Sequence, residues 1–228
     1  MSPGYTREFY ASHEAGARSS AGVVVPMVME LVSPRSVVDV GCGTGVWARA
    51  FRDQGVEDVV GIDGGHLDPS ILEIPSEGFL PLDLSEPFRL DRRFDLVVCL
   101  EVAEHLPEPS AGGFVASLVG LGDVVLFSAA IPHQGGTDHL NEQWAEYWAE
   151  RFAGDGYVAV DRLRPRVWGD PRVEWWYQQN LLLFVDERRL PELPHLARSA
   201  APRMLSVVHP HRYLEWVEWG LSRAEGAG

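Results

Sequence analysis

Five consecutive residues, Glu101-Val102-Ala103-Glu104-His105, place two carboxylates and an imidazole at spacing i, i+3 and i+4. If the chain is helical there, the three side chains share one face. A second histidine follows in Gly136-Thr137-Asp138-His139. Such a set can do two kinds of chemistry. As ligands, Glu101, Glu104, His105 and His139 suit a hard-to-borderline cation such as Mg²⁺, Mn²⁺ or Fe²⁺, with positions left for substrate oxygens. Alternatively, His105 or His139 takes a proton from a substrate as general base, or His105 is a hydrogen-bonded packing residue. His133, in Ile131-Pro132-His133-Gln134-Gly135-Gly136, is a second-rank base candidate, because loops of this kind carry substrate contacts, or equally a loop histidine with no role.

A second cluster is Val37-Val38-Asp39-Val40-Gly41-Cys42-Gly43-Thr44-Gly45. An apolar run broken by one acid, Asp39, predicts a buried strand over 36–41, and a helix follows from Val46 to Gln54. Gly41, Gly43 and Gly45 fall where the chain turns off the strand and backbone can touch a ligand without a Cβ in the way. The helix start adds free N–H groups and a positive dipole end. The stretch reads as a nucleotide-type cofactor cradle, with a plain tight turn as the alternative. Asp63 ends a second apolar run about 20 residues on, where an acid can accept both hydrogens of a ribose diol. Asp83 ends a third over Phe79 to Leu84, placed to meet an adenine amine. Glu101 follows a fourth, Phe94 to Leu100.

The elements that must position these groups alternate between strand and helix. A helix over Ala21 to Leu31, with Pro26 inside, precedes the first strand. Further strands fall near Val124 to Ser128, Tyr157 to Leu163 and Asn180 to Val185, and Asn141 is placed to cap the helix that runs to about Ala153. Alternation implies an α/β fold: a doubly wound, mostly parallel sheet with helices on both faces and ligands at the carboxyl ends of its strands. The whole chain reads as one domain. Residues 1–20 form a tail or a cover over the site, and 191–228 a helical extension in which Trp216 and Trp219 pack. Between the last two strands lie Trp168, Trp175, Trp176 and Tyr177. They wall an acceptor pocket or, the favoured reading for Trp175 and Trp176, begin a buried strand. Arg164 and Arg166 hold an anionic acceptor or lie solvated.

Composition narrows the class. The 228 residues carry a net charge of −14, which disfavours nucleic acid as partner. Hydrophobic residues make up 46%, enough for a core. The longest apolar run, Val23 to Met29, is too short to span a membrane, and two cysteines, Cys42 and Cys99, give no disulfide framework. The expectation is a cytoplasmic protein without membrane or nucleic-acid partner.

The series VVDVGCGTG, GID, PLDL and FDLVVCLEVAEHLP resembles the motifs of class I S-adenosylmethionine (SAM) methyltransferases over about 30–185. The resemblance implies a Rossmann-like seven-stranded sheet with an antiparallel last strand. It implies that Gly41, Gly43 and Gly45 border the methionine part, Asp63 binds the ribose, and Asp83 with Leu84 frames the adenine. The ExxEH run with a later histidine is similar to that of small-RNA 2′-O-methyltransferases, where the set binds metal, and of ubiquinone-pathway O-methyltransferases. In metal-free members the same Glu and His shape the pocket or act as base. The expected activity is methyl transfer from SAM to a small-molecule acceptor, at an oxygen of a sugar-like or natural-product ring. The rival readings are a NAD-linked oxidoreductase, whose glycine spacing differs, and a catalytically silent SAM-binding partner.

Overall fold

The computed structural model describes residues 7–65, 67, 69–202 and 204–225. The chain opens with α1 (Arg7–Val32), β1 (Ser36–Val40), α2 (Val46–Asp53), β2 (Asp58–Asp63) and β3 (Phe79–Pro81). It returns through β4 (Leu96–Leu100), α3 (Ala111–Leu121), β5 (Val124–Ser128), α4 (Ala145–Gly154) and β6 (Tyr157–Val160). It closes with α5 (Arg164–Val167), α6 (Trp175–Asn180), β7 (Leu182–Asp186), α7 (Pro194–Ala197) and α8 (Pro210–Glu225). Short 3₁₀ turns fill the links, among them Ala103–His105 just after β4.

The strands form one seven-stranded sheet in the order β3-β2-β1-β4-β5-β7-β6. β7 runs antiparallel to both β5 and β6, and the other pairings are parallel. The expected architecture is therefore the observed one. From β1 the chain winds outward to β3, then crosses back to β4. This leaves a crevice between the carboxyl ends of β1 and β4, the place where such sheets take ligands. β4, β5 and β7 are buried at every residue, as the apolar runs required.

Two apolar layers cover the sheet. On one face Val24, Val25 and Val28 of α1 meet Trp47, Ala48 and Phe51 of α2. On the other, Phe114 and Leu118 of α3 and Phe152 of α4 pack on Phe127 and Phe184. Each buried phenylalanine contributes about 1.5–3 kcal/mol of burial.

Several local expectations shift. Residues 1–6 lie outside the described residues, but from Arg7 the expected tail is one continuous helix with Pro26 inside it. Glu14–Val32 is long and apolar enough to cross a membrane, with a mean hydropathy of 1.2, contrary to the expectation from the uninterrupted run alone. In the fold, 39% of it is buried. β3 stops at Pro81, so Asp83 lies two residues beyond the strand. The helix after β5 starts at Ala145 and not at Asn141. Asn141 is buried, and its N–H donates to the Glu104 carbonyl (2.9 Å), so it ties a loop down and does not cap a helix. Trp175 and Trp176 open helix α6, not a strand. The Gln178 side chain accepts from Gly169 N–H (2.6 Å) and donates to the Asp170 and Val173 carbonyls (3.0 and 2.6 Å), folding 169–178 back on itself. Trp219, expected to pack, is 60% exposed.

Candidate active site

A cleft of about 980 Å³ opens where β1, β2 and β4 end. Its first wall is the glycine turn. Gly41 has φ +75°, and a Cβ there would lie 2.3 Å from the Val102 side chain, so both conformation and space demand glycine. Asp63 accepts from the Gly43 N–H (2.7 Å) and the Gly64 N–H (2.6 Å), which locks the turn after β1 to the end of β2. Asp83, exposed at the rim, accepts from the N–H and hydroxyl of Ser85 (2.9 and 2.6 Å), and these bonds hold its carboxyl below the usual range. Leu84 is buried beside it and also faces the cleft.

Asp39 and Gly45 stand behind this wall. Asp39 is buried and accepts from Ala48 N–H at 3.2 Å, so it braces the start of α2. Burial pushes it up to about 7. Gly45 is the left-handed residue preceding α2, packed against Ile74. Neither lines the cleft, so the structure places them as supports of the turn.

A second wall, carried by the turn after β4 and the loop after β5, holds the titratable cluster. The turn Ala103–His105 and the loop after β5 bring one ligand atom each from Glu104, His105 and His139 within 4.8 Å of one another. The two imidazoles meet edge to face at 4.8 Å between centroids. Glu104 is fully buried. Its Oε1 accepts from Ala130 N–H (3.2 Å), while Oε2 has no hydrogen-bond partner. Burial, together with the Glu101 carboxylate, pushes Glu104 well above the ordinary carboxylate range. Burial and the nearby His139 lower His105 to about 4, so near pH 7 it is a neutral imidazole with a lone pair to offer.

Glu101 stands beside this group, not inside it. Its own φ is +53°. Its carboxylate accepts from Gln134 Nε2 (2.9 Å) and Asn180 Nδ2 (3.1 Å), and burial raises it too. Gln179 extends the network to Gln134 Oε1 (3.1 Å). Two neighbouring carboxylates both driven upward favour a shared proton or a cation over two bare charges. The donor set fits a divalent cation: one buried carboxylate oxygen left without a partner and two imidazoles, one of them held neutral. An unsatisfied buried polar atom otherwise costs about 1–3 kcal/mol, more when charged.

His133, the remaining base candidate, is not brought to the cleft. It is exposed, and its ring lies 6.2 Å from the Trp216 ring. Arg164 is buried and bonded to Asp161 and the Gln179 carbonyl, and Arg166 pairs with Glu30. Neither faces the cleft, so the anion-binding reading of these two fails. Trp175, Trp176 and Tyr177 do line it, as do Leu106 and Leu140, and from α1 Glu14 and Ala17 border it.

Sequence reasoning missed Glu142, Gln134, Gln179 and Asn180. Glu142 accepts from His139 Nδ1 at 2.9 Å, and its position three residues after a ligand-type histidine was the available signal. The others act across separations of 33 to 79 residues, which no local pattern carries.

A parallel sheet with one reversed strand and a glycine turn braced by an acid define a Rossmann-like nucleotide-cofactor fold. The family described as a methyltransferase domain matches residues 17–164, well over half of the chain. The chain belongs to this family, among the class I SAM-dependent methyltransferases. This sets aside the NAD-linked reading.

The ubiquinone biosynthesis O-methyltransferase of Stutzerimonas stutzeri is 34% identical over 102 residues, covering 41% of this chain and 44% of that protein. The protein of the same name from Alkalilimnicola ehrlichii is 35% identical over 105 residues, covering 41% of each. The chain thus spans less than half the length of these curated relatives. Streptomyces venezuelae DesVI shares the fold with a TM-score of 0.56 at 17% identity, covering 78% of this chain and 95% of that one. Magnesium protoporphyrin IX methyltransferase from Synechocystis, with SAH bound, gives 0.54 at 19% identity, covering 78% and 88%.

Proposed function

We propose that the chain transfers a methyl group from SAM to an oxygen of a small acceptor, with a divalent cation held by Glu104, His105 and His139. The observation that carries this reading is one cleft with the glycine–Asp63 cradle on one wall and the three-ligand cluster on the other.

When bound, SAM supplies an electrophilic methyl on a sulfonium, and a divalent cation supplies a lowered pKa for an acceptor hydroxyl. The chain's own residues do the rest. The backbone at Gly41 and Gly43 admits the methionine end, Asp63 takes the ribose hydroxyls, and Leu84 flanks the adenine. Glu104 and His105 are fixed on the turn after β4 and, with His139, would hold the cation and through it an acceptor oxygen in the same cleft as the cofactor. Such positioning supplies most of the rate in a displacement of this kind. His139 is the base if the cation is absent.

The cleft also speaks to the acceptor. Glu14, Asp63, Asp83, Glu101, Glu104 and Asp138 line it, and no lysine or arginine does among the described residues. A polyanion such as RNA, or a small acceptor with phosphate or carboxylate, would meet these acids with no lysine or arginine to offset them. The acceptor is therefore uncharged or cationic, a sugar-like or natural-product ring set against Trp175 and Trp176. The ubiquinone-type relatives support methylation at oxygen.

The test follows labelled methyl from SAM into neutral polyhydroxylated and phenolic acceptors and into small RNA, after chelation and again with Mg²⁺ or Mn²⁺ restored. The expected result is transfer to a small acceptor that needs the cation and fails in Glu104→Gln. Transfer to RNA, or full activity after chelation, contradicts the proposal.

A further inference from the structure

The loop from Ile131 to Glu142 carries His139 and is shaped by an unusual run of backbone. His133, Gly135, Gly136 and Asp138 all have positive φ, at 65°, 75°, 156° and 57°. Two of these are not glycine, and each such residue costs on the order of 1–3 kcal/mol unless the surroundings fix it. One side chain does most of the fixing. Glu142 holds three contacts: its Oε2 accepts from His133 N–H at 2.6 Å, its Oε1 accepts from Gly135 N–H at 2.8 Å, and Oε1 also lies 2.9 Å from His139 Nδ1. The first two donors are backbone amides, which cannot accept. An ionised carboxylate has no hydrogen to give, so in the contact with the ring the histidine brings the proton.

A proton on Nδ1 leaves the lone pair on Nε2. The ring is also confined from the far side, since a Cβ on Gly136 would lie 2.2 Å from Nε2. We infer that Glu142 is the positioning residue of His139: it fixes the Nδ1–H tautomer and ring orientation, so that Nε2 is the atom offered to Glu104 and His105. This rests on the reading above that His139 acts in the cleft. A carboxylate behind a ligating histidine raises the basicity of the nitrogen that binds, and loss of such a partner lowers metal affinity about 10–100-fold.

Arg212 provides the control. It donates to the His133 carbonyl (Nη2 at 2.7 Å, Nε at 3.3 Å), so it holds the same loop from outside without touching the imidazole. The experiment reads ring ¹⁵N shifts of His139 in metal-free, full-length protein, and Mn²⁺ affinity by electron paramagnetic resonance. Wild type, Glu142→Ala and Arg212→Ala are compared, with Glu142→Met in place of the alanine variant should that not fold. The expected wild-type tautomer is Nδ1–H. The Glu142 variants shift toward Nε2–H and bind Mn²⁺ roughly 10-fold or more weakly, whereas Arg212→Ala keeps the tautomer. S-adenosylhomocysteine affinity is unchanged in all of them. An Nε2–H tautomer in wild type, or an unaltered tautomer and Mn²⁺ affinity in the Glu142 variants, overturns the inference. Wild type that binds no Mn²⁺ while the tautomer still follows Glu142 removes the metal reading and keeps the positioning one, with Nε2 presented as a base.

Discussion

The two walls of the cleft are built on different principles. The cofactor wall is backbone: strand ends in parallel register, a glycine turn, and one acid, Asp63, that accepts from Gly43 and Gly64. The acceptor wall is side chain. It is assembled from the turn at 103–105, the loop at 131–142, helix α6 and, through Arg212, helix α8, all joined by bonds over long sequence separations. The first wall suits one invariant ligand. The second can be re-lined by changing single side chains without disturbing the sheet, as expected where one fold serves many acceptors.

Substitutions on the two walls should therefore separate. The largest effect is expected from His139→Ala on the acceptor wall. Turnover should fall by roughly 10²–10⁴-fold, with S-adenosylhomocysteine affinity unchanged by calorimetry. Full activity in this variant would remove both the ligand and the base role from that residue. Next comes Asp63→Ala on the cofactor wall, which removes the acceptor for two backbone N–H groups and, on the proposed reading, for the ribose. Cofactor affinity should weaken roughly 100-fold, with a modest loss of thermal stability because the turn loosens.

A smaller effect is expected from Trp176→Ala. The acceptor KM should rise about 10-fold, in line with one lost aromatic contact, while cofactor affinity stays the same. A change in cofactor affinity instead would move α6 to the other wall.

The subtlest test concerns Asp39, buried behind the glycine turn and raised to about 7. A carboxyl raised in the folded state binds its proton more tightly there than in the unfolded chain. Its contribution to stability is full below about pH 4 and is lost as pH rises through about 7. Asp39→Asn cannot ionise and lacks this slope. Between pH 5 and pH 8 the variant should gain on wild type by on the order of 2 kcal/mol in urea unfolding. A parallel pH dependence in the two proteins would mean that Asp39 is ionised in the fold throughout.

The same division explains what the sequence made legible. The sheet, its reversed strand and the placing of Gly41, Gly43 and Asp63 at the cleft were readable because local patterns determine them: apolar runs, glycine at a sharp turn, an acid at a strand end. The ExxEH run was readable as a cluster because a single turn brings Glu104 and His105 together. His139 was paired with them correctly only as a candidate, since its approach depends on Leu140 and Asn141 N–H groups bonding the Glu104 carbonyl. Glu101 adjoins the cluster, and its bonds to Gln134 and Asn180 come from partners that no local pattern shows. Whether His133 faced the cleft was left open, because a loop histidine says nothing of which side its ring takes. Trp175 and Trp176 were misjudged because the helix they open is held by Gln178 bonding to loop backbone, a tertiary preference over strand propensity.

The most direct test of the central claim is titration of metal-free protein with S-adenosylhomocysteine, followed by Mn²⁺, in wild type, Asp63→Ala and Glu104→Gln. The account predicts one cofactor site weakened only by Asp63→Ala and a separate Mn²⁺ site weakened only by Glu104→Gln. No cofactor binding in wild type, or loss of both ligands in either variant, would contradict a cleft whose two walls work independently.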